Sequence, residues 1–243
     1  MIRVRRSRGG LGYSQKWFAR TSSGGDVFGL VAYFQYLGPR PPRFFIRHAF
    51  TTILVDLARD PEAIQADMHK NVRNEIRRAD GEGLAWETGV DPASFAQFHD
   101  AFARDKGIKG VGPAKLESFG DALLLTRTRK EGRTLNQHAY VVDREEGRAR
   151  FLYSSSGRFE GTDAALVGRA NRWCHLKDML YLRESDITIY DLGGIAVGAE
   201  AAAVSGINDF KIRFGGTMVR EDHWLSPLYA LATLAGKHGR RLL

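Results

Sequence analysis

Two Asp-Pro pairs, Asp60-Pro61 and Asp91-Pro92, do most to limit what this chain can fold into, because each reads as the start of a helix. An aspartate just before the first turn accepts a free backbone N–H, and proline suits the first helical position, where its missing donor is not needed. Glu62 adds an acid at the positive end of the first helix dipole. Behind it Ile64, Met68, Val72 and Ile76 recur every fourth residue, which predicts one helix running to about residue 80 and closed by Gly81. Behind the second pair, Phe95, Phe98 and Phe102 share a face. The β-branched run Thr51-Thr52-Ile53-Leu54-Val55-Asp56-Leu57 before the first pair reads as a strand.

Downstream, strands are expected at 122–129, 134–143 and 148–156, with Arg144-Glu145-Glu146-Gly147 as the hairpin turn between the last two. Thr162 is expected to cap a long helix carrying Leu166, Ala170, Trp173, Leu176 and Leu180. A strand at 187–191, a short helix near 200–209, a strand near 217–220 and a terminal helix from about Ser226 follow. Upstream, Leu37-Gly38-Pro39-Arg40-Pro41-Pro42-Arg43 continues neither helix nor ladder. It divides the chain into a basic, aromatic N-terminal extension of strands (1–45) and a domain at 46–243. The class expected is α/β (α+β), with a central mixed, mostly antiparallel sheet and helices on both faces.

The net charge of +8 is concentrated. The first fifty residues hold nine Lys and Arg and a single acid, Asp26, whereas the rest of the 243-residue chain balances. Tyr13, Trp17, Phe18, Tyr33, Phe34, Tyr36, Phe44 and Phe45 are interleaved with these cations. Basic groups among aromatics suit phosphates, nucleotides or RNA ends, and equally a solvated face over a sheet. The lone cysteine, Cys174, allows no internal disulfide and fits a reducing compartment. No apolar run reaches the roughly 20 residues of a membrane span. The cationic start Met1-Ile2-Arg3-Val4-Arg5-Arg6 lacks the apolar core of a secretion signal. A cytoplasmic protein is expected.

The chemistry-bearing pattern lies near the C-terminus. Ile189-Tyr190-Asp191-Leu192-Gly193-Gly194 ends a β-branched run in an acid and a glycine pair. Gly206-Ile207-Asn208-Asp209-Phe210-Lys211-Ile212-Arg213-Phe214-Gly215-Gly216 then delivers a cation between aromatics and a second glycine pair. With Lys70-Asn71-Val72-Arg73-Asn74-Glu75-Ile76-Arg77-Arg78-Ala79 and Val167-Gly168-Arg169-Ala170-Asn171-Arg172-Trp173, these stretches resemble the FemABX-like group of GNAT-fold transferases. The resemblance covers about residues 50–220, without a counterpart for 1–40. It implies a single GNAT-like acyltransferase domain. It further implies transfer of an amino acid from aminoacyl-tRNA to an amine of a cell-envelope precursor. The arginine/glutamine-x-x-Gly-x-Gly/Ala loop that grips CoA pyrophosphate is absent. At that point stands Ser154-Ser155-Ser156-Gly157-Arg158, so Ser155, Ser156 and Arg158, with Asn171 on the long helix, are the candidate donor contacts.

Forming an amide requires the amine to lose a proton, the tetrahedral oxyanion to be stabilised, and donor and acceptor to be aligned. Lys211, flanked by Phe210 and Phe214 before Gly215, is the leading candidate, either to bind a carboxylate or phosphate or to stabilise the oxyanion. Asp191 can orient the amine or take its proton, or else cap a turn through Gly193 and Gly194. Tyr190 alternates with it across the strand. Arg73 and Arg77 form a cationic stripe with Lys70, fit to grip a phosphate or else to pair with Glu75 on a solvated face. His138 and His223 are conceivable bases, with substrate-assisted deprotonation the alternative, and no histidine spacing suggests a metal. No tightly bound cofactor is expected. The co-substrate is aminoacyl-tRNA or acyl-CoA, and the acceptor a small-molecule, peptide or sugar amine. The competing class is a non-catalytic basic module binding RNA or anionic envelope material.

Overall fold

The structure, a computed structural model, describes residues 1–8, 10–157, 163–198 and 205–237. The first strands are Ile2–Arg8 (β1), Leu11–Trp17 (β2), Val31–Phe34 (β3) and Ile46–Asp56 (β4). Two helices, Pro61–Asp67 (α1) and Lys70–Asp80 (α2), precede the short strand Ala85–Thr88 (β5). Helices Pro92–Lys106 (α3) and Pro113–Glu117 (α4) lead into a meander of Leu123–Lys130 (β6), Arg133–Asp143 (β7) and Arg148–Ser156 (β8). The long helix Ala164–Glu184 (α5) and strand Ile189–Gly194 (β9) come next. Helix Ser205–Ile212 (α6), strand Thr217–Leu225 (β10) and helix Pro227–Lys237 (α7) complete the order. Among the described residues no helix is long and apolar enough to cross a membrane.

The chain forms two compact units, Met1–Thr52 with Val219–Leu243, and Ile53–Met218. In the first, the strand order is β1-β2-β3-β10, with the β2–β3 pair parallel. Its core gathers Ala19, Val31 and Tyr33 with Tyr36, Phe45 and Trp224, and Trp17 stacks on Phe34 at 4.7 Å. Lys16 is buried here, and Asp26 accepts from both its ammonium and the Tyr33 hydroxyl. A buried charge needs such a partner. The single acid of the first fifty residues therefore serves an internal pair.

In the second unit the strand order is β4-β9-β8-β7-β6-β5. The β5–β6, β6–β7 and β7–β8 pairs are antiparallel, and β8–β9 is parallel. Strand β7 is buried continuously from Leu135 to Asp143, as expected of a strand covered on both faces. Alternation divides it: Ala139 shares a core with Phe95 and Ala96 of α3, while Tyr140 and Val142 share another with Ile76 of α2 and Met179 of α5. The expected mixed, mostly antiparallel sheet with helices on both faces is the fold observed. The turn after β7 is fixed by Asp143, whose Oδ1 accepts the amide hydrogens of Glu145 and Glu146.

Several local expectations are corrected. The helix foreseen from 61 to 80 is two helices, because Met68 and His69 are both extended, with ψ of 145° and 142°. The break turns Met68 into the core at 1% exposure. His69 restarts the helix by accepting from Asn71 N with its own ring and donating its amide to Arg213 O. The foreseen cap Thr162 lies outside the described residues, and Asp163 accepts from Ala165 N at the start of α5. Strand β5 had no expectation. The short helix expected near 200–209 runs on to Ile212, so it carries Lys211 in its last turn and the second glycine pair follows directly on a helix.

Candidate active site

Strands β8 and β9 position the site. Their ladder pairs Arg148, Ala149 and Arg150 with Ile189, Tyr190 and Asp191, and both strands run on past it. Beyond Asp191 the chain bends at Gly193, whose φ is +77° and whose amide donates to Asp191 Oδ1 at 2.8 Å. A Cβ there would stand 3.0 Å from Phe151 O on a left-handed backbone, so glycine is strongly favoured at this approach.

Past the ladder opens a cleft of about 940 Å³. Phe151, Ser154 and Ser156 of β8 and Leu192 of β9 form one side. Helix α5 contributes Val167, Asn171 and His175, and α6 contributes Ile207, Phe210 and Lys211. Phe102, Lys106 and Ile108 close the end at α3. A mostly apolar wall with a few convergent polar groups is the usual form of a small-molecule site.

Lys211 is the cleft's best-defined cation. Its Nζ donates to Gly194 O at 2.6 Å. Burial, and then the nearby Arg150 charge, lower its pKa to about 8, with Asp191 acting against the shift. Phe210 packs on Phe214 at 5.1 Å and under the Arg172 guanidinium at 5.3 Å.

A buried polar network backs the cleft. His138 places Nδ1 2.7 Å from Asp178 Oδ2 and Nε2 2.9 Å from Asn171 Oδ1. Tyr140 donates to Asp178 Oδ2 at 2.5 Å and lies 2.8 Å from the Tyr190 hydroxyl, which in turn lies 2.5 Å from His175 Nδ1. Trp86 Nε1 donates to Asp178 Oδ1 at 2.8 Å. Burial opposes charge on His138, but Cys174 and Asp178 outweigh it and hold its pKa well above the usual value. His175 is pushed well below, first by burial and then by His138, Lys211 and Arg172. Ligand-type atoms of His138, His175 and Asp178 lie within 4.8 Å of one another. Both Asp178 oxygens are already taken by hydrogen-bond donors, which makes the group a poor cradle for an ion.

The structure brings together Lys211, Phe210, Asn171 and Ser156 in the cleft. Tyr190 and Phe214 lie behind it, fully buried, with Phe214 4.9 Å from the His175 ring. Ser155 is fully buried on β8, and Arg158 lies outside the described residues. Asp191 is buried in an ion pair with Arg148 at 2.5 Å and holds the Gly193 turn. Gly215 borders a separate cavity of about 330 Å³, beside the Arg59–Asp67 pair. Arg73 donates to the carbonyls of Ala66 and Met68 at the end of α1, and Arg77 is exposed on α2. Glu75, foreseen as their partner, pairs with Arg172 at 2.8 Å. His223 accepts from Gln35 N in the first unit and stacks on Phe50 at 4.3 Å. Cys174 is buried, and burial followed by the Asp178 charge raises its pKa, so it is a packing residue and no nucleophile. His175 and Asp178 carried no expectation. Their signal is spacing, since Asn171, His175 and Asp178 fall at i, i+4 and i+7 on one helix face.

No protein-family model and no curated protein matches the sequence. Solved structures match in fold. FemX aligns with a TM-score of 0.65 over 94% of this chain and 85% of its own, at 11% identity. The chain has a FemX-like fold. The C-terminal domain (DUF2156) of a putative lysylphosphatidylglycerol synthetase from Agrobacterium fabrum gives 0.63 over 97% and 84%, at 13% identity. L-PGS from Bacillus licheniformis gives 0.60 over 98% and 86%, also at 13%. The FemABX-like resemblance therefore holds in fold, and it reaches well beyond residues 50–220 into the basic N-terminal segment.

Proposed function

We propose that the protein is an acyl or aminoacyl transferase that forms an amide bond between an activated donor and an amine acceptor. The observation that carries this reading is the cleft beyond the β8–β9 ladder, where a largely buried ammonium, Lys211, meets polar groups of α5 on a mostly apolar wall. An ammonium in a partly desolvated cleft acts more strongly than one in water on charge that develops during reaction. Lys211 is thus suited to the tetrahedral oxyanion, with Ser156 and Asn171 as donor contacts and Phe210 as an apolar platform. Asp191 acts as a positioning residue, holding the turn that presents Gly194 O to Lys211.

The donor proposed is an aminoacyl-tRNA. The FemX-like fold supports it, as does a structural neighbour named for making lysylphosphatidylglycerol, and so does the concentration of basic charge in the first fifty residues. The acceptor is an amine on a peptide, sugar or cell-envelope precursor. Acyl-CoA is the alternative donor. The test compares transfer by wild type and Lys211→Ala with charged tRNA and with acyl-CoA. Loss of roughly 10²-fold or more in turnover with binding retained is expected of the variant. Equal activity of the two proteins would remove Lys211 from the site. Binding of RNA by a wild type that transfers from neither donor would mark a non-catalytic module.

A further inference from the structure

We infer that Nε2 of His175 is the proton acceptor for the attacking amine, oriented by a one-way hydrogen-bond relay through Tyr190 and Tyr140 to Asp178. This rests on the amide-forming reading, and it assigns that reading's missing base.

The direction of the relay follows from which atoms can give a proton. An indole N–H only donates, so Trp86 fixes Asp178 Oδ1 as an acceptor. At Oδ2, Asp178 meets Tyr140 and His138, and the other His138 nitrogen meets Asn171 Oδ1. A histidine with an oxygen acceptor at each nitrogen is arranged as an imidazolium, the natural partner of a carboxylate. Tyr140 has one proton and gives it to Oδ2, so its oxygen must accept from Tyr190 at 2.8 Å. Tyr190 has then spent its proton and accepts at 2.5 Å from His175, whose Nδ1 must carry hydrogen. A neutral imidazole protonated at Nδ1 keeps its free lone pair on Nε2. That atom is fully buried and has no hydrogen-bond partner among the described residues. His175 lines the cleft beside Asn171, Phe210 and Lys211.

The surroundings explain why a relay is needed. His175 faces His138 on β7, Tyr190 on β9, Lys211 on α6, and Arg172 and Asp178 on its own helix. Burial first, and then the cations among these, keep its ring neutral. A full imidazolium there would be costly. A proton taken at Nε2 can instead displace the Nδ1 proton to Tyr190, the Tyr190 proton to Tyr140 and the Tyr140 proton to Asp178, which leaves the positive charge off the ring. In the transfer the amine lone pair forms the C–N bond and the amine proton goes to Nε2. The bond from the carbonyl carbon to the donor's oxygen or sulfur breaks with its electron pair. That leaving atom takes the proton back from Nε2, and the relay resets.

The full-length protein carrying 15N-labelled histidine tests the relay without reference to activity. Nitrogen-detected NMR of wild type, with His175→Gln to assign the signals, should show His175 neutral and protonated at Nδ1 from pH 6 to 9. Protonation at Nε2 overturns the inference whatever the activity. Turnover is then measured with charged tRNA and with acyl-CoA. His175→Gln should lose roughly 10²- to 10³-fold in turnover. Tyr190→Phe, which keeps the packing and cuts the relay, should lose turnover, keep KM and show an altered pH profile. Wild-type turnover in both folded variants overturns the inference alone. No transfer by wild type from either donor overturns the functional reading, and the role of His175 with it.

Discussion

At the residue scale Lys211 holds two opposed roles. Its ammonium is placed to meet developing negative charge, yet the same burial makes it a stability cost. Its pKa of about 8 in the folded chain lies below the ordinary 10.5, so between those values the unfolded chain holds more of the proton. Stability therefore rises with pH from about 8 to 10.5 and loses that contribution as pH falls through 8. Replacement by methionine should abolish this dependence and raise Tm at pH 7 by roughly 2–5 °C, reduced by the lost bond to Gly194 O. The same variant should lose transfer. In wild type, turnover should decline above pH 8 as the ammonium deprotonates. Calorimetry across pH together with a transfer assay checks the pair, and a methionine variant less stable at pH 7 would show that the buried charge is well compensated.

At the element scale the glycine pairs prove to do different work. Gly193 shapes the cleft, whereas Gly215 and Gly216 let the end of α6 pass over α1 and β4. Gly216 has a φ of +89°, and a Cβ would sit 2.5 Å from Leu54 O. Gly216→Ala should therefore cost about 3 kcal/mol, from left-handed strain and a backbone clash together. That corresponds to a Tm roughly 6–12 °C lower. Gly12→Ala on β2, with nothing within 4 Å of the added atom, should leave Tm unchanged. Thermal melts of the two variants make the comparison. Position and chemistry were legible to different degrees here. The β6–β7–β8 meander and the helix starting at Asp91 could be read directly, because alternation, a turn sequence and a cap all act locally. The break at Met68 and His69 could not, since neither residue is a breaker and the bend is held by the distant Arg213 carbonyl. Lys211 was legible as a residue but not as a helical one. His175 was hidden because a histidine on a buried helix face reads as packing until its partners on β7 and β9 are known.

At the scale of the whole molecule, the charge distribution separates the two donors. The only acid in the first fifty residues, Asp26, is occupied by Lys16, while Arg3, Arg5, Arg40 and Arg43 stay exposed. Arg43 stacks on Phe44 at 4.7 Å. Cations and aromatics presented together suit the phosphates and unstacked bases of an RNA end. If the donor is an aminoacyl-tRNA, its affinity should fall steeply with salt, because each phosphate contact releases condensed counterions. Charge reversal at Arg3, Arg5, Arg40 and Arg43 should weaken tRNA binding at least tenfold at moderate salt and flatten that salt dependence. None of these residues lines the cleft, so the response to CoA should not change. Fluorescence titration of both ligands over a salt series reads both effects. If reversal leaves tRNA affinity intact while micromolar CoA stabilises the protein, the donor is a thioester, and these arginines have some task other than holding it.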